Sequence, residues 1–578
     1  MSAEKPHSKA IIALSLTAIL AVALGLRTWG IGFGLPYAYH VDELTYVSAA
    51  LNLGAGVIGK QPNPTGFSNI LFGEYAFYFI LGRIAGIFQT ATDFERAYRA
   101  DPSVFLTLSR LTSALLGAAN VLVVYWLGKT RRDRLTGLLA AAFLAVAFLH
   151  VRDSHYGVPD IAATLFVSLA VLGCVMGLQK RQWRYVGLGA MAGGLALATK
   201  WSVTWVILPI ILSTVWLGVG SKHAGEKRLN PWMAVAVVGI CLGGGLLIGG
   251  FQLFLKPTTY FEYALREARS GTAGGFGFWQ IDTVPGWLFY IKTLGYGLGV
   301  LMCGLALPGI IKRLLLALRS RNLLSVLLLV FPITYFMVMG ATRHYFARYA
   351  LPLVPFATVF AADGIVWLAG QLTRRSRPLA SVIATTLVFA AIAQPLASSI
   401  RHNLLLTRTD TRTLAKAWIE QNIPDGSKIA VDWPTHGPPL ATAELSVPDS
   451  RRVYDVTPVG SAGLSEHPIA WYRENGYEYL IASSFIYQIP LVFPDKDQER
   501  RVFYVSLARE LTEVQVFRPA DNGTEPDFIF DEIRTRFEDL SAQAVGNLCP
   551  TSPFASKTSP SSTTSAARSS GTTRCATR

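Results

Sequence analysis

Long apolar runs constrain this chain more than any other feature of its sequence. Several stretches extend over about 18 or more residues with almost no charge, which is the length of helix that crosses a bilayer. Of the 578 residues, 51% are hydrophobic and 15% are charged, whereas soluble domains are about a quarter charged. Because a single soluble core stops growing near roughly 250–300 residues, the sequence predicts a polytopic α-helical membrane protein.

The apolar runs predict about eleven transmembrane helices. Their expected bounds are 10–30, 105–127, 135–151, 159–178, 185–199, 202–219, 232–255, 287–310, 322–340, 349–370 and 379–399. A further apolar stretch, Ile70–Phe88, contains Glu74 and Arg83 and is rich in aromatic residues. We predict that it lies in the membrane interface without crossing.

Clusters of Lys and Arg between the apolar runs set the expected orientation. If Ile70–Phe88 does not cross, all of them fall on one side. They are Lys5/Lys9, Lys129/Arg131/Arg132/Arg134, Lys180/Arg181/Arg184, Lys222/Lys227/Arg228, Lys312/Arg313/Arg319/Arg321 and Arg374/Arg375/Arg377. We therefore expect a cytoplasmic N-terminus in a multi-pass plasma (inner) membrane protein. The segments 31–104 and 256–286, and the chain from about 400, would lie outside.

The net charge of +15 does not indicate a nucleic-acid partner. The basic residues lie in short clusters, the pattern of topology signals and of contacts to anionic membrane lipids. The sequence contains no zinc-finger spacing, helix-turn-helix or other nucleic-acid module. The cysteines show no spacing typical of a metal site or a disulfide framework.

Composition divides the chain into three expected regions. Residues 1–400 form the transmembrane domain. Residues 401–548 carry more charge, with a helical pattern over Thr411–Gln421 and a strand pattern at Lys428–Asp432, which predicts an extracytoplasmic soluble α/β domain. Residues 549–578 are rich in Ser and Thr without an apolar period, which predicts a disordered tail.

Two adjacent carboxylates, Asp42 and Glu43, follow the first apolar run directly. Carboxylates at a membrane surface are costly unless they are hydrated, paired or used, and one here could accept the proton of an incoming hydroxyl group. The alternative is a helix cap, because both would favour the N-terminus of a helix over Leu44–Leu53. The pair alone favours the cap.

A second ionisable group lies in the turn before the fourth predicted span. Pro159 and Asp160 suit the first turn of a helix, and the structural alternative is a capped turn with an Arg152–Asp153 pair. The turn also contains His155. So many polar residues in one short intramembrane turn exceed what capping needs, which favours function.

Three cations, Lys200, Arg343 and Arg348, lie on the expected outer side, against the charge bias. Arginine is well suited to bidentate phosphate binding. The alternatives are snorkelling for Lys200 and an interfacial belt of Arg and Tyr residues for the arginines. Together with the acidic loops, the cations suit transfer from a phosphate-linked donor, in which a carboxylate takes a proton and the cations stabilise the departing phosphate.

Several motifs, taken in order, give the chain a resemblance to a known family. They are Asp42-Glu43 with Tyr46 beyond, Phe72–Phe79, Arg110–Gly117, Asp160, Ala198-Thr199-Lys200 and Arg348–Pro355. In order and spacing the chain resembles the polyprenyl-phosphate-sugar-dependent GT-C glycosyltransferases, the superfamily of protein O-mannosyltransferases and the lipid A aminoarabinose transferase. One departure is Asn63–Asn69, where the family often shows His-Pro-Pro, and it leaves the acceptor open.

The resemblance implies a GT-C-like fold and an inverting transfer of a sugar from a polyprenyl-phosphate donor to a protein, lipid or glycan, as in a mannosyltransferase. The implied roles are catalytic for Asp42, Glu43 and Asp160, and donor-phosphate binding for Lys200, Arg343 and Arg348. By location, His40, Tyr46, Asp153, His155 and Tyr349 are candidates for lining the site. Members of the family differ over a divalent metal, so a metal stays open and no other cofactor is expected.

Two alternatives remain, a polytopic secondary transporter and a non-catalytic scaffold of the same fold. Transporters tend to show internal repeats, whereas the two halves of this sequence do not match. The intact Asp42, Asp160 and Lys200 favour an enzyme over a scaffold.

Overall fold

A computed structural model of the chain describes residues 6–58, 64–131, 133–219, 231–273, 285–343, 346–372, 376–432, 436–460, 463–492, 497–518 and 574–577. In chain order the α-helices are α1 Pro6–Thr28, α2 Glu43–Gly54, α3 Gly66–Ile84, α4 Ala91–Ala100, α5 Ser103–Arg131, α6 Arg134–Val146, α7 Phe148–Asp153, α8 Asp160–Lys180, α9 Trp183–Thr199, α10 Ile207–Val219, α11 Pro231–Gly250, α12 Gln252–Leu255, α13 Pro257–Ala273, α14 Gly286–Leu298, α15 Val300–Ser320, α16 Leu323–Ala341, α17 Val354–Leu372, α18 Arg377–Leu406, α19 Thr411–Asn422, α20 Ile469–Glu474, α21 Ser484–Val492 and α22 Gln498–Glu510. The strands are β1 Lys428–Val431, β2 Asp455–Pro458, β3 Tyr479–Ala482, β4 Thr512–Val516 and β5 Arg574–Thr577. Short 3₁₀ helices cover Trp201–Val206, Ala347–Leu353 and Gly463–Glu466.

Within the described ranges, nine helical segments are long and apolar enough to cross a membrane. They are Ala10–Thr28, Ser103–Thr130, Asp160–Lys180, Trp201–Gly218, Trp232–Gly250, Val300–Ser320, Leu323–Ala341, Ala347–Leu372 and Arg377–Asn422. The helix α6 is apolar but shorter. As predicted, α3 is not among the crossing segments. The prediction of a polytopic membrane protein is confirmed.

The predicted single span over 287–310 is wrong, because the chain there forms two helices. Gly299 separates α14 from α15 with a φ of +90°, a conformation that L side chains rarely adopt. The apolar segment of α15 extends further than predicted and takes in Lys312 and Arg313, which both form ion pairs with the buried Asp363 of α17. The predicted span ended before Lys312 and Arg313 because an unpaired charge is costly inside a membrane. The ion pairs with Asp363 lower this cost.

The predicted span over 135–151 is interrupted at Ala147, between α6 and α7. The interruption leaves backbone carbonyls of α6 without their usual helical donors. The buried Arg27 of α1 fills this need, since its guanidinium donates to the carbonyl oxygens of Ala145 (3.0 Å) and Leu144 (3.1 Å). In a membrane every such group must be satisfied within the protein.

The described basic clusters lie far from the end of the bundle where α8 begins. Lys180 ends α8 and Lys129 lies near the end of α5, so each is about a membrane thickness from the start of its helix. Several cluster members, Lys5, Arg132, Lys222, Lys227, Arg228, Arg374 and Arg375, lie outside the described residues. Lys129 and Lys180 therefore lie at the opposite ends of their helices from Ser103 and Asp160, and the orientation of the bundle in the membrane stays a prediction.

The C-terminal part of the chain contains a parallel sheet with strand order β2-β1-β3-β5-β4. Alternate side chains enter two separate cores. Ile429, Val431 and Ile481 pack beneath α19, whereas Ala430, Leu480 and Ala482 face the side where α20, α21 and α22 pack. The predicted α/β domain is thus a doubly wound sheet between helices.

The strand β5 lies inside the segment that we predicted to be disordered. It pairs in parallel with both β3 and β4, with a register shift against β4 between Glu513 and Gln515, and it gains backbone hydrogen bonds from these two neighbours. An argument from Ser and Thr content does not detect such a strand. The structure differs from the prediction for these four residues, and residues 519–573 lie outside the described ranges.

Candidate active site

Two loops that are distant in sequence meet in an ion pair at one end of the helical bundle. Oδ2 of Asp42, just before α2, lies 3.2 Å from Nη1 of Arg348, in the 3₁₀ helix before α17. The Asp42 side chain remains 38% exposed and that of Arg348 19%. The pair is therefore accessible to a ligand, and the acidic loop and the cationic turn share one end of the bundle.

A second ion pair joins Asp160 to Lys200. Asp160 is the first residue of α8 and Lys200 directly follows α9. Because α8 and α9 form an antiparallel hairpin, the start of one helix meets the end of the other. Nζ of Lys200 also lies 4.7 Å from the ring centre of Tyr349, the residue after Arg348, so the two pairs are neighbours. We call Asp42, Arg348, Asp160 and Lys200 the charged cluster.

Two further predicted residues border the charged cluster. Nδ1 of His40 accepts a hydrogen bond from the backbone N–H of Asp42 (3.2 Å), and its ring packs against Tyr156 at 4.5 Å between centres. Tyr46 lies one helical turn after Asp42. Burial raises the pKa of Tyr46 well above its ordinary value, with smaller contributions from the negative charges of Asp42 and Asp160. Tyr46 therefore keeps its hydroxyl proton near both carboxylates.

Neighbouring carboxylates have different surroundings here. Asp42 occupies the N-cap position of α2, yet its side chain makes no capping hydrogen bond, so capping does not explain it. The buried side chain of Glu43 receives two hydrogen bonds from Arg110 (2.8 and 2.7 Å) and one from the backbone N–H of Gly157 (2.9 Å). With these partners, Glu43 holds α2 against α5 and the turn before α8, and the expectation that it acts on substrate finds no geometric support.

Three other predicted residues lie apart from the charged cluster. Asp153 forms a buried ion pair with its neighbour Arg152 (2.9 Å), which is the structural alternative considered above. The buried ring of His155 faces the carbonyl oxygens of Val151 (2.9 Å) and Trp29 (3.1 Å). Arg343 is exposed beyond the end of α16. The polar residues of the turn before α8, Asp153 and His155, therefore mainly fix the shape of that turn.

The sequence reasoning missed Tyr263, which α13 brings close to the charged cluster. Burial raises the pKa of Tyr263, and Glu267, Tyr349 and Asp42 raise it further, so these groups lie within electrostatic reach of its hydroxyl. The sequence predicts only that residues 256–286, which include Tyr263, lie outside the membrane. The spacing of Tyr260, Tyr263 and Glu267 on one helical face was the signal that could have found it.

The described residues form no preformed cage for a divalent cation. Among them, no group of three or more His, Cys, Asp or Glu side chains is placed to hold a metal ion. The two carboxylates of the charged cluster, Asp42 and Asp160, each already have a cationic partner. The chemistry below therefore uses the side chains of the chain alone.

Comparison with known proteins supports the fold. A family model described as dolichyl-phosphate-mannose-protein mannosyltransferase matches residues 106–243. No curated protein sequence matches the chain. The apo oligosaccharyltransferase of Archaeoglobus fulgidus is similar with a TM-score of 0.50 and 14% identity, over 75% of this chain and 64% of that one, so this chain spans less than two thirds of that relative's length.

Two further solved structures are similar. The Archaeoglobus fulgidus oligosaccharyltransferase AglB, in complex with an inhibitory peptide and a dolichol-phosphate, has a TM-score of 0.50 and 13% identity, over 82% of this chain and 70% of that one. ArnT from Cupriavidus metallidurans, bound to undecaprenyl phosphate, has a TM-score of 0.44 and 14% identity, over 77% and 87%. At TM-scores of 0.50, the two oligosaccharyltransferase structures confirm the predicted fold of the helical bundle.

Proposed function

We propose that the chain is a membrane glycosyltransferase that moves a sugar from a polyprenyl-phosphate donor to an acceptor. The observation that carries this proposal is the charged cluster, in which two carboxylates and two cations meet at one end of the bundle. The GT-C-like fold and the dolichol-phosphate in the AglB complex support a lipid-phosphate donor. The matching family model favours a mannose-like sugar.

The donor phosphate would enter by exchanging ion-pair partners. Without donor, Arg348 and Lys200 are neutralised by Asp42 and Asp160. The phosphodiester of the donor carries one negative charge, as a carboxylate does, and two of its oxygens can accept bidentate hydrogen bonds from the planar guanidinium of Arg348. Binding would therefore draw Arg348 away from Asp42 and release a carboxylate oxygen where the acceptor arrives.

In the transfer step, Asp42 acts as the base. The acceptor oxygen or nitrogen bonds to the anomeric carbon while the bond from that carbon to the phosphate oxygen breaks. Asp42 takes the acceptor's proton, and the departing phosphate keeps the bonding electrons, stabilised by Arg348 and Lys200. One displacement inverts the anomeric centre. Asp160 orients Lys200, and Glu43 holds the loop that carries Asp42.

The expected orientation places the charged cluster and the α/β domain outside the plasma membrane, with the N-terminus in the cytoplasm. Arg412 of the α/β domain contacts Tyr39, close to Asp42, so domain and cluster share a side. The test is Leu445→Cys, because Leu445 is 60% exposed in that domain. A membrane-impermeant thiol reagent should label this variant in intact cells. Labelling only after lysis would place the α/β domain in the cytoplasm and contradict the expected orientation.

Transfer itself is tested with purified protein in lipid nanodiscs and a polyprenyl-phosphate donor whose sugar is radiolabelled. We expect wild-type protein to release label from the lipid fraction, to water or to acceptors in a membrane extract, and Asp42→Asn to release far less. Unchanged release by Asp42→Asn would remove the assignment of the base. A transporter would move the labelled lipid without breaking its sugar–phosphate bond.

A further inference from the structure

A buried tyrosine of α16 lies against the 3₁₀ helix that carries Arg348. The side chain of Tyr335 is fully buried, and its hydroxyl donates a hydrogen bond to the backbone carbonyl oxygen of Tyr349 (2.8 Å). Tyr349 directly follows Arg348, the arginine that pairs with Asp42. A side chain that is neither charged nor exposed thus contacts the backbone beside one of the cations of the charged cluster.

The sequence of the 3₁₀ helix Ala347–Leu353 makes a donor from another helix useful at this point. In a 3₁₀ helix, a backbone carbonyl accepts a hydrogen bond from the N–H three residues further on. For Tyr349 that residue is Pro352, whose nitrogen carries no hydrogen. The hydroxyl of Tyr335 supplies a hydrogen bond to this carbonyl and thereby ties the 3₁₀ helix to α16.

Apolar packing and this hydrogen bond hold the 3₁₀ helix in different ways. Ala347, Ala350 and Leu351 are fully buried, so one face of the short helix is pressed against the bundle. Apolar burial is non-directional, however, and allows a helix of seven residues to rotate or slide by small amounts. A hydrogen bond depends on distance and angle, so the contact from Tyr335 specifies where the backbone at Tyr349 lies.

The position of the Tyr335 hydroxyl is itself fixed by aromatic packing. The Tyr335 ring stacks on Phe331, one helical turn earlier, with 5.4 Å between the ring centres. Phe331 also packs against Phe356 of α17, at 5.6 Å, and both phenylalanines are almost fully buried. Because closely packed interiors leave a side chain little freedom, the hydroxyl stays at one place relative to α16 and α17.

Tyr349 transmits this position to both cations of the charged cluster. Its ring packs edge-on against Phe346, at 5.3 Å between centres, and the guanidinium of Arg348 lies 4.7 Å from the centre of the same Phe346 ring. Nζ of Lys200 lies 4.7 Å from the centre of the Tyr349 ring. A shift of Tyr349 would therefore change the surroundings of Arg348 and of Lys200 together.

We propose that Tyr335 is a positioning residue, which holds Arg348 where it can bind the phosphate of the donor. The inference rests on the proposed function and adds to it a residue that does not touch the substrate. A guanidinium binds two oxygens only when both of its N–H groups point at them, so a small displacement of Arg348 costs affinity. Since Tyr335 bonds to the backbone, its hydrogen bond persists while Arg348 exchanges Asp42 for the phosphate.

The test is Tyr335→Phe, which removes the hydroxyl and keeps the packed ring. The affinity of the full-length protein for polyprenyl phosphate without its sugar is measured in nanodiscs, together with the unfolding midpoint. Loss of the hydrogen bond should weaken binding of this lipid about twofold to tenfold. Tyr472→Phe is the matched control, because the buried Tyr472 donates to the carbonyl oxygen of Leu464 at the same distance of 2.8 Å, in the α/β domain. It should bind the lipid as wild type does.

A double variant distinguishes positioning of Arg348 from a general loss of structure. Tyr335→Phe should weaken binding less in an Arg348→Gln background than in the wild-type background, because the side chain through which it acts is then already missing. Equal losses in both backgrounds, wild-type affinity of Tyr335→Phe, or the same loss in Tyr472→Phe would each overturn the inference alone. Absence of binding by the wild-type protein would overturn the proposed function and this inference together.

Discussion

The carboxylates of Asp42 and Glu43 are adjacent in sequence, and both pair with an arginine, but the two ion pairs differ in every other respect. The Glu43–Arg110 pair is fully buried, and the remaining Arg110 nitrogen donates to the carbonyls of Ile31 (2.9 Å) and Phe33 (2.8 Å). The Asp42–Arg348 pair is part-exposed and joins two loops. Of the two pairs, only the Asp42–Arg348 pair is accessible from solvent, so a ligand can reach it.

This difference shows that burial decides whether an ion pair can exchange its partners. A buried, fully hydrogen-bonded pair cannot exchange partners without leaving an uncompensated charge. A part-exposed pair can, because water and ligand replace what is lost. The buried pair therefore fixes the loop, whereas the exposed pair has the freedom to exchange partners that the proposed mechanism requires.

The largest effect is expected from Asp42→Asn. Removing a general base costs about 10²- to 10⁴-fold in rate, while the part-exposed pair contributes little to folding. Sugar transfer should fall by that factor, with an unfolding midpoint close to wild type. Glu95→Gln is the control, since it neutralises an exposed carboxylate on α4. Transfer by Asp42→Asn within twofold of wild type would show that Asp42 is not the base. The contrast in role between Asp42 and Glu43 would then fail.

Glu43→Gln should act on stability. Removing one partner of a buried pair costs about 3–5 kcal/mol, because Arg110 keeps a buried charge. We expect a lower unfolding midpoint in detergent, and activity that declines only as the folded fraction does. A variant that unfolds like wild type but is inactive would show that Glu43 acts in the chemistry.

Arg348→Lys should have an intermediate effect that appears in donor binding. Lysine keeps the charge but loses the planar, bidentate fork, so we expect KM for the donor to rise about tenfold, a loss of roughly 1.4 kcal/mol. The matched variant is Arg343→Lys, which changes an exposed arginine two residues beyond the end of α16 that is not one of the four residues of the charged cluster. Equal effects of both variants would indicate general electrostatic attraction without a specific phosphate contact.

The smallest effect is expected from Arg99→Gln on α4. Arg99 pairs with Glu95 across one helical turn (2.7 Å), and both side chains are more than half exposed. Such surface pairs contribute about 0.3–0.5 kcal/mol. Thermal unfolding and transfer should both stay near wild type, which would sharpen the contrast with the buried pair. A large loss of stability would contradict the ranking by burial.

The sequence singled out the four residues of the charged cluster, which the structure brings together in ion pairs, because they depart from the usual distribution of charge in membrane proteins. In the expected orientation, Lys200 and Arg348 oppose the positive-inside bias, and Asp42 and Asp160 are charged residues beside long apolar runs. Each of these charges needs a partner of opposite sign nearby. In the structure Lys200 pairs with Asp160, and Arg348 pairs with Asp42. The length of the apolar runs likewise predicted most spans, because a helix needs about 20 apolar residues to cross a bilayer.

Other features could not be predicted because they depend on contacts between distant segments. Which carboxylate turns inward is decided by the buried guanidinium of Arg110, from another helix. The break at Gly299 and the charges of α15 depend on Asp363 across the bundle, and β5 depends on an open position in a sheet built elsewhere in the sequence. Local composition contains none of these contacts.

The exchange of partners at Arg348 is tested most directly by the affinity of the protein for polyprenyl phosphate without its sugar, measured in nanodiscs. Because Asp42 competes with the phosphate for Arg348, Asp42→Asn should bind this lipid up to about fivefold more tightly than wild type, although its sugar transfer is much slower. Arg348→Gln should bind it more weakly. Weaker or unchanged binding by Asp42→Asn would contradict the account, since the two anions would then not share the arginine.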